Sequence, residues 1–402
     1  RNTGSDSDRE DTDRNGARNA WKTKKVNGVV RWSYYDSDGR RVSNAWKQLL
    51  YKGTMFWYHF GADGYMDTGW FKDADGNWYY LNPVSDGTRG AMKTGWFKDV
   101  DGKWYYLNQD GTIYTGILTE NDHTYYLNPE MITGKDFIEI DDSYYKIDSN
   151  GYLSKLSDGF YSVAQMQSWR DPIRYYYYLI NGKLVDDGWK IINNEWYYFS
   201  NGAAYCGGSY KIDGKLYYFD KNGYRINDVT NIYKSGYTVE VDRVNGVMTI
   251  YADANRTIPV KTIRVSVGNP GTDTPTGRYK LTRYSRWQAL MGPSWGQYGT
   301  HVDGAGQGGI FVHSIACGSA NSYNLPVSAY LKLGSPASHG CIRTCVADAK
   351  WVYENCNGSK LRVFDGKYSA DECYKGPLGR RPLTPLRGSK TFDPTDPNYA
   401  NR

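Results

Sequence analysis

The chain has 402 residues, 40% of them hydrophobic, with 45 Gly, 39 Tyr, 14 Trp and a formal charge of +6. That length suggests two or three domains, while so mild a charge without a Lys/Arg block excludes a nucleic-acid binder of the basic type. No apolar run is long enough to span a membrane. Apolar surface is supplied by rings rather than aliphatic side chains, which favours strands, so the chain is expected to be mainly β.

Residues 1–19 are nearly all polar and read as a disordered leader. Because the chain begins at Arg1, an export signal removed upstream is expected. A repeat follows. Asn19-Ala20-Trp21 returns as Asn44-Ala45-Trp46, and Gly69-Trp70-Phe71-Lys72-Asp73 returns as Gly95-Trp96-Phe97-Lys98-Asp99. Each of the latter leads through Asp-Gly into an aromatic run, Trp78-Tyr79-Tyr80-Leu81 and Trp104-Tyr105-Tyr106-Leu107. The unit recurs around Gly188-Trp189, Trp196-Tyr197-Tyr198 and Asp213-Gly214. Asp-Gly between short strands signals a type I′ hairpin, whose two central residues need positive φ. One hairpin cannot bury its aromatic face alone, so a solenoid of stacked hairpins is predicted over 20–228, irregular near 152–178.

The texture changes near residue 229. β-branched runs appear at 237–241, 247–251 and 263–267, with Asn245-Gly246 marking a hairpin and Thr274-Pro275-Thr276-Gly277 a turn. Phe311-Val312-His313 reads as a strand ending on a His, and Leu361–Phe364 as the last strand. One clear helix is predicted from Val346 to about Cys356, stopped by Asn357-Gly358. This makes 229–373 a mostly β domain with one helix. Residues 374–402 read as an extended tail.

The chemistry sits in Ser338-His339-Gly340-Cys341-Ile342-Arg343, with His313 upstream. A thiol attacks a carbonyl only as thiolate, so Cys341 needs a base or a lowered pKa. Gly340 permits close backbone approach and offers N–H groups for an oxyanion. A zinc site from His313, Cys317, His339, Cys341 and Cys345 fits no familiar spacing, so no metal or cofactor is expected. With Cys341 free, Cys317, Cys345, Cys356 and Cys373 can pair in three ways. A Cys345–Cys356 bridge is excluded because the helix between them sets them about 16 Å apart. Of the two patterns left, Cys317–Cys345 with Cys356–Cys373 is expected, against the alternative of buried reduced thiols.

The aromatic units resemble the choline-binding, or cell-wall-binding, repeats of Gram-positive surface proteins. The resemblance implies cages of rings, mapped best onto Trp46, Trp57, Trp70, Trp78, Trp96 and Trp104, with choline or another wall polymer as ligand. From Tyr237 to about Asp365 the chain resembles the YkuD-type L,D-transpeptidases, through Thr274–Gly277, Phe311-Val312-His313-Ser314, Pro336–Arg343 and Asp348–Trp351. The resemblance implies that Cys341 is the nucleophile and His313 the base, oriented by the Ser314 carbonyl. It places His339 beside them, has Arg343 supporting the loop or binding a substrate carboxylate, and puts Tyr298 and Ser338 in the cleft. It further implies peptidoglycan tetrapeptide stems as substrate, 3→3 cross-links or L,D-carboxypeptidase action as outcome, carbapenems as covalent inhibitors, and an exported, wall-associated protein. A non-catalytic wall-binding protein is the reading from another class, opposed by the intact Cys341 and His313. The 24 residues between His313 and Ser338 exceed the family's usual spacing, so an insertion around Asn321–Leu333 is expected to form part of a lid.

Overall fold

A computed structural model describes residues 16–167, 170–321, 323–387 and 391–398. Most of the expected leader (1–15) and parts of the tail (388–390, 399–402) lie outside the described residues. The chain forms two compact units, Arg1–Asp158 with Asn181–Lys183, and Gly159–Ile180 with Leu184–Arg402.

The first unit is a run of antiparallel hairpins, among them Ala45–Tyr51 with Thr54–Phe60, Gly69–Lys72 with Trp78–Leu81, and Gly95–Lys98 with Trp104–Leu107. Each is two-stranded, so half of its ring surface must be covered by a neighbour. The covering is regular. The last residue of successive second strands (Phe60, Leu81, Leu107, Leu127) is at most 1% exposed. One backbone bond then reaches back to the preceding hairpin: Met66 N–H to Trp32 O, Met92 to Trp57, Ile113 to Trp78 and Met131 to Trp104, at 2.7–2.8 Å. The turns divide into two kinds. Asn27-Gly28, Asn121-Asp122 and Asp213-Gly214 have positive φ at both residues, as a type I′ turn demands. Asp75-Gly76 and Asp101-Gly102 do not, contrary to expectation; only their glycines are left-handed. There the loops are longer and fold Asx-type turns: Asp73 Oδ1 accepts the Asn77 N–H (2.8 Å) in the first, and Asp101 Oδ1 the Lys103 N–H (2.9 Å) in the second.

The irregular stretch foreseen near 152–178 holds the strand Leu153–Lys155 and then the hairpin Gly159–Gln167/Arg170–Ile180, which opens the second unit. Two further repeat hairpins follow, Gly188–Ile192/Glu195–Ser200 and Gly208–Ile212/Lys215–Phe219. The rest is one mixed sheet of eight strands: β1 (Thr238–Asp242), β2 (Val247–Tyr251), β3 (Pro259–Arg264), β4 (Gly277–Ala289), β5 (Trp295–Asp303), β6 (Phe311–Ser314), β7 (Ile342–Thr344) and β8 (Lys360–Phe364). Their order is β3-β2-β1-β8-β4-β5-β6-β7, with β1/β8 and β6/β7 parallel. One apolar cluster, including Val239, Met248, Ile250, Ile263, Leu281, Val312 and Ile342, runs through it, each residue essentially unexposed.

Two helices accompany the sheet. α2 (Val346–Asn355) is the predicted one, and Gly358 beyond it is left-handed (φ 84°). α1 (Val327–Leu331) was not predicted and lies in the insertion expected to form a lid. That expectation fails. Leu325, Tyr330 and Leu333 are buried with Ile315, Leu383 and Leu386, so the insertion is a buttress packed on the tail. The tail is irregular but packed: Asp393 Oδ2 accepts the Val346 N–H at the start of α2 (2.8 Å), and Asp396 Oδ2 accepts from Gln297 Nε2 (2.9 Å). The disulfide expectation fails too, since all six cysteines are free thiols. After β6 the chain swings back, so that Cys317 bridges Trp295 at the start of β5, whereas Cys345 caps α2 with its thiol on Asp348 Oδ2 (3.2 Å). Cys356 is sealed in the main core and Cys373 sits in the 3₁₀ turn Glu372–Tyr374, so neither expected pair forms.

Candidate active site

The parallel pair β6/β7 builds the site. Its register sets Val312 level with Ile342, and His313 level with Arg343. Side chains alternate across a strand, so Val312 and Ile342 enter the core while His313, Arg343 and the preceding Cys341 share the other face. All three, with His339, line one cleft of about 860 Å³. His339 is exposed at its rim and Cys341 is half-buried.

His313 is 1% exposed, and its Nδ1 lies 2.5 Å from Ser314 O. A carbonyl can only accept, so Nδ1 carries the proton and Nε2 is left as the acceptor. Burial is the main reason the imidazole pKa falls to about 4; the Arg343 cation adds to the fall, and the Ser314 bond opposes it. Burial likewise pushes the Cys341 thiol up, opposed by a backbone hydrogen bond from Phe311 and by the Arg343 charge. At neutral pH, therefore, both the Cys341 thiol and the His313 imidazole are neutral.

The loop carrying Cys341 is braced by its own neighbours. Ser338 Oγ donates to Cys341 O (2.6 Å) and accepts the Gly340 N–H (3.1 Å). Ser338 is 0% exposed, so it holds the loop and does not reach the cleft, contrary to the substrate-binding expectation. The Gly340 N–H is engaged by the same hydroxyl, so it is not free for an oxyanion. Gly340 itself is required by φ 115° and by Ile310 Cδ1, which a Cβ would meet at 2.8 Å. Arg343 Nη1 donates to Ala337 O (2.9 Å), supporting the loop while it flanks the cleft. Ser314 is buried, and its hydroxyl accepts the Gln297 N–H (2.8 Å). Tyr298 is misplaced by sequence reasoning. It packs with Val346, Ala349 and Tyr353 under the Arg286 guanidinium, which lies 4.0 Å from its ring centroid, and it does not line the cleft.

Three contributors were missed. Thr274 Oγ1 donates to Gly340 O (2.7 Å) and accepts the Gly268 N–H (3.0 Å), tying the reactive loop to the turn before β4. Gly296 lies against the imidazole: a Cβ there would stand 2.5 Å from His313 Nδ1. Leu290, Met291 and Ser294, at the β4–β5 tip, wall the cleft where the insertion was expected. The Thr-Pro-Thr-Gly motif signalled the first; the other two carry no local signal, because they act across strands.

The repeats bring rings together as pairs and triplets. Trp70 meets Trp78 (6.3 Å, 84°) and Tyr105 of the next hairpin (4.9 Å), and Trp96 meets Trp104 (6.4 Å, 80°) and Tyr125 (4.9 Å). Their indole N–H groups are held by the following hairpin, Trp70 by Asp99 (2.8 Å) and Trp96 by Glu120 (2.6 Å). Trp46 meets Tyr79 (4.9 Å), and Trp57 stands 42% exposed. A ring group that was not foreseen is formed by Trp21, Trp32, Tyr58 and Met66, which line a cavity of about 230 Å³.

Comparison with known proteins divides the chain in the same way. Residues 236–377 match the L,D-transpeptidase catalytic domain model (YkuD). Residues 52–93 match the choline-binding repeat, and 94–113, 187–202 and 210–225 the "putative cell wall binding repeat". The chain thus carries a YkuD L,D-transpeptidase catalytic domain C-terminal to choline-binding, cell-wall-binding repeats. A stretch of 24 residues is 75% identical to the "Putative L,D-transpeptidase YciB" of Bacillus subtilis (strain 168), and the match covers 6% of this chain and 12% of that protein. Among solved structures, choline binding protein F of Streptococcus pneumoniae is 25% identical over 52% of this chain and 73% of its own, with a TM-score of 0.32. A pneumococcal cell wall endolysin from phage Cp-1, complexed with choline, is 30% identical over 33% of this chain and 36% of its own, with a TM-score of 0.23.

Proposed function

We propose that residues 229–373 act as a peptidoglycan L,D-transpeptidase with Cys341 as nucleophile, held at the cell wall of a Gram-positive-type envelope by the repeats of 20–228. The supporting observation is the β6/β7 register, which sets His313, Cys341 and Arg343 on one face around one cleft. In this reading Cys341 Sγ attacks the carbonyl that joins the third stem residue to the terminal D-Ala. His313 Nε2 takes the thiol proton and passes it to the departing amine, so D-Ala leaves and a thioester remains. A side-chain amine of a neighbouring stem then attacks the thioester, giving a 3→3 cross-link and restoring the thiol. Water in place of the amine gives an L,D-carboxypeptidase. The buried, low-pKa imidazole suits the base role, because it is unprotonated at neutral pH. Carbapenems, which present a strained acyl group, are expected to acylate the same sulfur.

The ring cages suit a quaternary ammonium such as the choline of a wall polymer, each ring contributing about 0.5–2 kcal/mol. The deciding experiment is mass spectrometry of muropeptides after incubation with tetrapeptide stems. The wild-type chain is expected to yield cross-linked dimers and free D-Ala, and Cys341→Ala neither product nor acyl-enzyme. Dimers formed by Cys341→Ala, or a carbapenem adduct on Cys317 or Cys345, would refute the assignment.

A further inference from the structure

The last two repeat hairpins before the catalytic domain share the ring geometry of the upstream groups. Trp189 meets Trp196 (5.6 Å, 87°) and Tyr217 of the next hairpin (4.9 Å, 76°), the same arrangement as Trp70, Trp78 and Tyr105. The residue that reaches back to complete each group is Met66, Met92, Ile113 or Met131, recognised by its N–H bond to the second-strand Trp. Here the same bond, 2.7 Å to Trp196 O, is made by Arg225. Its guanidinium carbon lies 5.3, 5.1 and 5.9 Å from the Trp189, Trp196 and Tyr217 ring centroids. A cation therefore sits where the rings converge, and the chain supplies it.

One of its remaining contacts reaches the last residues of the stretch that matches the catalytic domain. Nη1 donates to Pro377 O (2.9 Å) and Nε to Asn227 Oδ1 (2.9 Å), while Nη2 is buried with no hydrogen-bond partner among the described residues. Arg225 is 3% exposed. Burial lowers its pKa only to about 10, so it remains charged at neutral pH. Tyr374 stacks edge-on to Trp196 (5.0 Å), and Leu378 is buried with Ile212, Tyr217 and Phe219. A guanidinium carries its charge in a plane that lies well on aromatic faces, and it is the least hydrated of the side-chain cations.

We propose that Trp189, Trp196 and Tyr217 form a quaternary-ammonium cage closed by the chain's own Arg225, so that this repeat is the joint to the catalytic domain instead of a wall contact. The proposal rests on reading the repeats as cation cages. It is tested by calorimetric titration of choline chloride into the full chain, its Arg225→Met variant, and the latter with Trp189→Ala added. Arg225→Met restores the side chain found at three of the other positions, so it is expected to bind one more choline per chain than wild type. Trp189→Ala should remove that extra site. A folded Arg225→Met with wild-type stoichiometry overturns the proposal, whether the wild type binds several cholines or none. If the wild type binds none and Arg225→Met binds one, the closed cage stands and the ligand reading of the upstream repeats falls. Should Arg225→Met not fold, the ¹H–¹⁵N spectrum of the wild type decides. An Arg Nε–H displaced upfield by ring currents, and missing from Arg225→Lys, supports the cage, and its absence overturns it.

Discussion

The first unit and the catalytic sheet solve the same problem, burying apolar surface, in opposite ways. In the repeats each hairpin is covered by its sequence neighbour, and the buried groups (Phe60, Leu81, Leu107, Leu127) come one per unit along the chain. In the catalytic sheet β1 pairs with β8, more than a hundred positions away, and one contiguous cluster joins all the strands. Damage should therefore stay local in the first region and spread in the second.

The sharpest way to break that comparison is a matched pair of truncations. Leu281→Ala, at 0% exposure in the main core of the sheet, is expected to cost about 2–5 kcal/mol and to abolish turnover by unfolding the whole catalytic domain. Leu107→Ala, equally buried, should loosen neighbouring hairpins and weaken wall binding while turnover on soluble stems stays unchanged. Urea unfolding followed by circular dichroism and by activity distinguishes the two. Equal losses of turnover would mean that the regions are not energetically separate.

A smaller effect is expected at Gly296. An added methyl would drive His313 off its Ser314 bond, and a displacement of this size costs on the order of 100-fold in kcat. Gly296→Ala should acylate slowly in stopped-flow with a carbapenem while its melting temperature stays within a few degrees. An unchanged acylation rate would show that the imidazole need not sit where it does.

The smallest effect is a displaced pH limb. Burial lowers the His313 pKa to about 4, so if this neutral imidazole is the base, acylation should persist through weak acid and fall only as pH drops through about 4. An unperturbed imidazole would give a fall near 6.5. The stability sign agrees. The unfolded chain protonates this His first, so folding stability is fully present above about 6.5 and is lost as pH falls toward the folded value. A limb at 6.5 in the pH profile of kcat/KM would mean that the ring is solvated in the working enzyme.

Much of this was legible in the residues because the signals are local. A hairpin is announced by its own strands and turn, and His-Gly-Cys with a strand-end His marks out the candidate site within a few positions. What was not legible depends on partners far along the chain. Tyr298 looked like a cleft residue until its neighbours in α2 claimed it, and Ser338 looked like a substrate ligand until its hydroxyl was found closing the loop. Cys317 and Cys345 each follow a reactive residue by four positions, yet the chain swings them to different strand ends, so equal spacing did not bring them together.

Composition and short-range pattern determined, without any coordinates, that the chain is mainly β, that its first half repeats, that one helix begins at Val346, and that Cys341 and His313 are the candidate reactive residues. Those properties depend on periodicity, turn conformations and side-chain reactivity, which are set within a few residues. Tertiary structure alone decided that the β6/β7 register brings His313 and Cys341 to one face, and that Gly296 packs on the imidazole while Thr274 ties the Cys341 loop. It also decided that the cysteines stay apart and that the Arg225 guanidinium sits among Trp189, Trp196 and Tyr217, where other repeats place Met or Ile. Each of these is a meeting of groups distant in sequence, fixed by strand order and packing rather than by any residue's own preference.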